Sequence, residues 1–176
     1  AEEFLIALDP LLEGLRERLY KDTYTCDVAA GTLTPEWARK LGLPEGVVVG
    51  VGAFDAQLGA MGAEIEPYHL SKVMGTSTCD MLVAPLDEIN DRLVGGICGH
   101  VDGSILPGFW GLEAGQSAVG DIFNWFVNYL QPGGEKAGSH EELTKKALKL
   151  KPGQAGLLAL DWNNGNRTIL VDQRLT

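Results

Sequence analysis

Val47-Val48-Val49-Gly50-Val51-Gly52-Ala53-Phe54-Asp55-Ala56-Gln57 is the stretch on which the reading of this chain turns. A valine run of this kind has the character of a strand buried on both faces. It delivers a carboxylate, Asp55, just past its end. The small residues Leu58-Gly59-Ala60-Met61-Gly62-Ala63 come next, and they let a helix pack close to another backbone. Then Lys72-Val73-Met74-Gly75-Thr76-Ser77-Thr78-Cys79-Asp80 alternates loosely, so 71–84 reads as strand, turn, strand with glycine and hydroxyls in the turn.

In open α/β sheets, ligands bind off the carboxyl ends of the strands. A carboxylate there can take the proton from a substrate hydroxyl as it attacks phosphorus. The N–H groups of a glycine-containing turn form an anion-binding concavity, and hydroxyls add donors. Each feature has a structural alternative: Asp55 as a helix N-cap, and Gly75-Thr76-Ser77-Thr78 as a plain hairpin turn. The residues alone leave both open.

Glu113 lies between Gly111-Leu112 and Ala114-Gly115 at a strand-to-helix junction. It can reach a sugar hydroxyl or serve a helix dipole. Gly120 and Asn124 are one helical turn apart. Gly120 would admit a flat ligand or a close helix contact; Asn124 would bond that ligand or face solvent. His69, His100 and His140 have no metal-ligand spacing. Trp37 and Trp125 read as core, whereas Trp110 and Trp162 sit among glycines and asparagines, where a binding surface is a fair alternative.

The 176 residues suffice for one ordinary domain or parts of two. Hydrophobic residues make up 45% and charged residues 22%, the globular range. A net charge of -10 argues against a nucleic-acid partner. It leaves nucleotide binding open, since backbone N–H groups hold small phosphates. Cys26, Cys79 and Cys98 lack C-x-x-C spacing, which argues against a disulfide framework or zinc site and for a reduced cytoplasmic setting. No apolar run is long enough for a membrane span. The chain starts without Met and stops abruptly at Arg174-Leu175-Thr176, so it reads as a piece of a longer protein.

Further elements follow from local signals. Asp9-Pro10 and Thr34-Pro35 are helix starts, with Leu8, Leu12, Leu15 and Leu19 keeping one face apolar. Residues 85–92 are a polar connection. Val94 to Val101 and Ser104 to Phe109 read as a hairpin around Asp102-Gly103. Val119, Ile122, Phe123, Phe126, Val127 and Leu130 predict a helix over 115–130, stopped by Pro132-Gly133-Gly134. Ser139-His140-Glu141-Glu142 is a capping box for a basic helix to about Leu150. Lys151-Pro152-Gly153-Gln154 is a turn, and Gly156 to Leu160 a short buried strand. Hairpins followed by a helix predict a mixed sheet with helices, an α/β layer arrangement.

The strings Thr34-Pro35-Glu36-Trp37-Ala38, Gly52-Ala53-Phe54-Asp55-Ala56, Lys72 through Cys79, Gly115-Gln116-Ser117-Ala118 and Leu160-Asp161-Trp162-Asn163-Asn164-Gly165-Asn166-Arg167 run nearly end to end. With them the chain resembles the FGGY family of carbohydrate kinases, its ribulokinase-like members most. The resemblance implies an actin-like ATPase (ribonuclease H-like) α/β fold of two domains. Residues 1–63 would close the sugar-binding first domain, and 64–176 would open the nucleotide-binding second. It implies ATP-dependent phosphorylation of a ketopentose, L-ribulose foremost, in cytoplasmic arabinose catabolism, with ATP and Mg2+. D-ribulose or xylulose is the alternative substrate, and a non-catalytic nucleotide- or partner-binding module is the alternative class. Asp55 would be the base and touch the sugar; Glu113 would bind the sugar. Gly75, Thr76, Ser77, Gly120 and Asn124 would face the nucleotide. The family's first phosphate motif and its adenosine segment have no counterpart in these residues, so the piece alone is expected to be inactive. Exposed apolar surface would favour homo-oligomers.

Overall fold

The computed structural model describes residues 2–90, 92–132, 134 and 138–176. The chain forms two compact units, one through Gly52 and one from Ala53.

In the first unit, helix α1 (Glu2–Leu8) is followed by a 3-10 turn at Pro10–Leu12 and the short α2 (Leu15–Arg18). Asp9 caps the turn, its Oδ1 accepting from the Leu11 N–H at 2.9 Å. The single helix expected there is broken because Gly14 takes φ 73°. Helix α3 (Pro35–Leu41) has the predicted ends: Thr34 Oγ1 accepts from the Trp37 N–H, and Gly42 closes it at φ 67°. Strand β1 (Ala29–Thr32) pairs antiparallel with β2 (Val48–Gly50), with a bulge between Ala29 and Gly31.

Here the structure corrects the sequence reading. The valine run is not a buried core strand. It forms a three-residue partner in a two-stranded ribbon, exposed throughout. Trp37 is not core either: it is about half exposed, with Lys40 Nζ 4.9 Å from its ring centroid.

The second unit holds α4 (Asp55–Gly62) and four strands: β3 (Ser71–Met74), β4 (Thr78–Pro85), β5 (Gly99–Asp102) and β6 (Phe109–Ala114). Their order is β3-β4-β6-β5, and every pair is antiparallel rather than mixed. Strand residues directly opposite share a face. Met81 and Val83 of β4 turn to one face and are fully buried against Ala60 of α4, Ile65 and Ile105. Ile105 reaches that core from the connection after Asp102-Gly103. The expected strand at Ser104 to Phe109 is therefore mostly loop, and β6 starts only at Phe109. The polar connection contains one helical turn, α5 (Leu86–Ile89); its Asp91 lies outside the described residues.

Helix α6 (Gly120–Trp125) continues as a π-helical turn at Phe126–Leu130. It starts five residues later than the apolar spacing implied. Its Trp125 is half exposed rather than core. In the predicted stop signal, Gly133 is outside the described residues. The Ser139 capping box forms in full and opens α7 (His140–Ala147). Leu157, Leu158 and Leu160 are largely exposed and belong to no strand, against the expected buried strand at Gly156 to Leu160.

Candidate active site

The β3–β4 hairpin closes through Gly75, Thr76 and Ser77, with Met74 opposite Thr78 and the Gly75 N–H donating to Ser77 O at 2.9 Å. The turn is anchored from the other side by the segment ahead of α6. Val119 N–H donates to Thr76 O at 2.8 Å and Gly120 N–H to Gly75 O at 3.0 Å. Thr78, 1% exposed, donates its N–H to Gln116 O, and its Oγ1 accepts from the Gln116 N–H, both at 3.0 Å.

Two glycines make this approach possible. A Cβ on Gly120 would stand 2.4 Å from Gly75 O, and one on Gly115 2.2 Å from Thr78 O. Around Gly75 itself a Cβ would meet nothing within 4 Å. The space beside Gly120 is thus filled by the hairpin's own backbone, while the space beside Gly75 is open. Among the described residues, no side-chain hydrogen bond engages the Thr76 or Ser77 hydroxyl, so both are available as donors. Asn124 lies on α6, exposed, its Oδ1 accepting from Asn128 Nδ2 at 2.6 Å.

Asp55 is the first residue of α4, exposed, and its Oδ1 accepts from the Ala56 N–H at 2.9 Å. The N-cap is Phe54, which offers no side-chain bond. An acidic residue in the first turn suits the helix dipole. Two residues on, Gln57 is 6% exposed and donates from Nε2 to Glu113 Oε2 at 3.2 Å. Glu113 sits on β6 opposite Met81 on one side and Gly99 on the other, on the face that α4 covers. Its Oε1 accepts from Arg167 Nη2 at 2.9 Å. Cys79 is also near: burial first, then the Glu113 carboxylate, push its thiol up to about 11.

Arg167 lies in a segment pinned to the same strand end. Thr168 Oγ1 accepts from the Gly115 N–H at 2.8 Å and donates to Gly115 O at 2.6 Å. Gln116 Nε2 donates to Asp161 Oδ2. Buried Asn166 shapes the following turn, its Oδ1 accepting from the Leu170 and Val171 N–H groups. A cleft of about 280 Å³ runs between this segment, Gln116 and the Lys72–Asp80 ion pair. The structure therefore joins α4, which carries Asp55, to Glu113, and joins the Gly75 turn to Gly120. Gln57 and Arg167 went unnoticed in the sequence. Their signal in the sequence is membership of the strings that carry Asp55 and Asn166.

The hairpin turn thus has open space at Gly75 and, among the described residues, two hydroxyls without a side-chain partner. Among the described residues no group of three or more His, Cys, Asp or Glu side chains could hold a metal ion. None of the described helices is long and apolar enough to cross a membrane.

Residues 70–176 match the C-terminal domain of the FGGY family of carbohydrate kinases. The chain belongs to that family. It is 42% identical over 190 residues to a ribulokinase of Vibrio parahaemolyticus, an alignment covering 99% of this chain and 34% of that protein. It is 46% identical to a ribulokinase of Geobacillus thermodenitrificans, covering 100% of this chain and 32% of that protein. The chain thus spans about a third of the length of the curated relatives it matches. Among solved structures it is similar to a xylulose kinase from Rhodospirillum rubrum: TM-score 0.65, 25% identity, 82% of this chain and 28% of the other. A ligand-bound xylulose kinase from Lactobacillus acidophilus shares the fold at TM-score 0.68 and 18% identity, covering 94% of this chain and 32% of the other. The α/β fold is accordingly the actin-like ATPase fold of these sugar kinases.

Proposed function

We propose that this chain is part of an ATP-dependent, cytoplasmic kinase for a ketopentose, L-ribulose foremost, with Asp55 as general base. Identity of 42% and 46% to ribulokinases along the whole chain supports the substrate. The observation that carries the chemistry is the tie from α4 to Glu113 through Gln57, which puts an exposed carboxylate and a sugar-facing carboxylate on linked elements. In this scheme Glu113 accepts from sugar hydroxyls. Asp55 takes the proton of the attacking hydroxyl as its oxygen bonds to the γ-phosphorus and the bond to the β,γ-bridging oxygen breaks, releasing ADP. Thr76 and Ser77 donate to phosphate oxygens on the way, and Gly75 leaves room for them. Gly120 serves the nucleotide side by letting α6 hold that turn; Asn124 faces the nucleotide from α6. The Rhodospirillum rubrum xylulose kinase likeness favours xylulose as the second substrate to test.

The test uses the full-length protein that carries these residues. Asp55→Ala should lower kcat by at least about a hundredfold, the lower range for general acid–base groups, with ATP affinity by titration calorimetry unchanged within twofold. Lost ATP binding with unchanged single-turnover chemistry would refute the assignment. The 176-residue piece alone should release no ADP in a ribulose-dependent coupled assay.

A further inference from the structure

Both oxygens of the Glu113 carboxylate are held, and from opposite ends of this unit. Arg167 Nη2 donates to Oε1 at 2.9 Å, and Gln57 Nε2 to Oε2 at 3.2 Å. Arg167 is itself fixed through its neighbour Thr168, which makes two bonds to Gly115, two residues beyond Glu113. Gln57 stands two residues beyond Asp55 on α4. The amide must present its nitrogen to the carboxylate, because a carboxylate only accepts. That leaves Gln57 Oε1 buried without a partner among the described residues. An unpaired buried acceptor is unfavourable, and a leucine or methionine would fill the place with no such cost. A buried group left unsatisfied calls for a functional explanation, and among the described residues the bond to Glu113 is the one its side chain makes.

We propose that Gln57 and Arg167 are positioning residues that hold Glu113 as an acceptor-only carboxylate, so that it selects neutral polyhydroxylated substrates by their donating hydroxyls, in register with Asp55. The inference rests on the sugar-binding reading of Glu113 given above. One charge-assisted donor on each oxygen fixes the plane of the carboxylate; the Cys79 thiol donates to it as well, and one acceptor site remains for substrate. A hydroxyl is a donor and fits. A sugar acid or sugar phosphate presents a second anion to the same group and is repelled, with Arg167 already neutralised by Glu113. Gln57 links this selection to the base: α4 cannot shift without moving the bond that aims Glu113.

The experiment is steady-state kinetics on the full-length protein with L-ribulose and a deoxy analogue, alongside thermal melting. Gln57→Leu and Arg167→Met should each raise KM for the sugar about tenfold or more, with KM for ATP within twofold. Arg167→Lys, which keeps the charge but not the planar fork, should recover part of the loss. The penalty should shrink for the analogue lacking the hydroxyl that Glu113 accepts. Gln57→Leu should melt at or above the parent temperature, which a merely structural role would not give. Sugar KM within twofold in both variants overturns the proposal, as does a parallel rise of both KM values with a lowered melting temperature. If Arg167→Met does not fold, Arg167→Lys with Gln57→Leu decides. Glu113→Ala separates the levels: if it alone raises sugar KM, only the positioning roles fail; if it does not, the sugar-binding reading fails with them.

Discussion

Gly120→Ala is the substitution for which the structure gives the clearest number. The new Cβ would lie 2.4 Å from Gly75 O, 3.1 Å from Gly75 C and 3.6 Å from Thr76 Cα, all backbone. Side-chain rotation cannot relieve this, so the start of α6 and the 75–77 turn must part by at least about 0.6 Å to reach 3.0 Å. Such a shift stretches the two bonds at 2.8 and 3.0 Å that join them beyond useful range. Each is worth about 1 kcal/mol, and overpacking adds about 1–3 kcal/mol. The helix preference of alanine over glycine returns about 1 kcal/mol. The net cost is about 2–4 kcal/mol. Urea unfolding of the full-length protein reads it, and hydrogen exchange at the backbone amides of positions 119 and 120 localises it. Gly75→Ala is the control. Its Cβ meets nothing within 4 Å, so stability should hold within about 0.5 kcal/mol, while KM for ATP rises if phosphate occupies that space. A Gly120→Ala protein within about 0.5 kcal/mol of the parent, its Val119 amide still protected, would refute the packing argument.

Two further outcomes follow. Cys79 should resist iodoacetamide through neutral pH and alkylate with a midpoint near 11, while exposed Cys98 reacts first by peptide mapping. Because the folded value lies above the ordinary 9.0, the proton is held more tightly in the folded state. The stability Cys79 contributes is therefore full below pH 9.0 and lost as pH rises through about 11. Thr78→Val should cost about 1 kcal/mol by leaving the part-buried Gln116 N–H without its acceptor, read as a lower urea midpoint.

What the sequence disclosed was local. The hairpin around Gly75-Thr76-Ser77 showed in alternation and turn chemistry, and the Ser139 box in side-chain spacing, because those bonds join near neighbours. Apolar content does not say what covers a strand: in this chain, about a third of the length of its relatives, β2 has only β1 beside it among the described residues, and its valines are exposed. The helix starts later than the spacing over 115–130 predicts because Gly115 and Gln116 bond their backbone groups to Thr168 and Thr78 instead of to helical partners. Arg167 and Gln57 could not be read as partners of Glu113. They stand 54 and 56 residues away, and an isolated polar side chain has no periodicity to betray it.

The meeting of these segments at Glu113 predicts how substitutions combine. Gln57 and Arg167 share no hydrogen bond with each other; each acts on a different oxygen of one carboxylate. If their service is to aim that carboxylate, losing either frees it to rotate, and losing the second has little left to disturb. The Gln57→Leu, Arg167→Met double variant should then raise sugar KM by much less than the product of the single effects, a coupling of about 0.5–3 kcal/mol. If instead each side chain contributed to substrate binding on its own, the effects would multiply. Glu113→Ala distinguishes the two further: in its background neither substitution should change sugar KM, because nothing remains to be aimed. A multiplicative cycle, or an undiminished Arg167→Met effect without Glu113, would place both residues in direct contact with substrate.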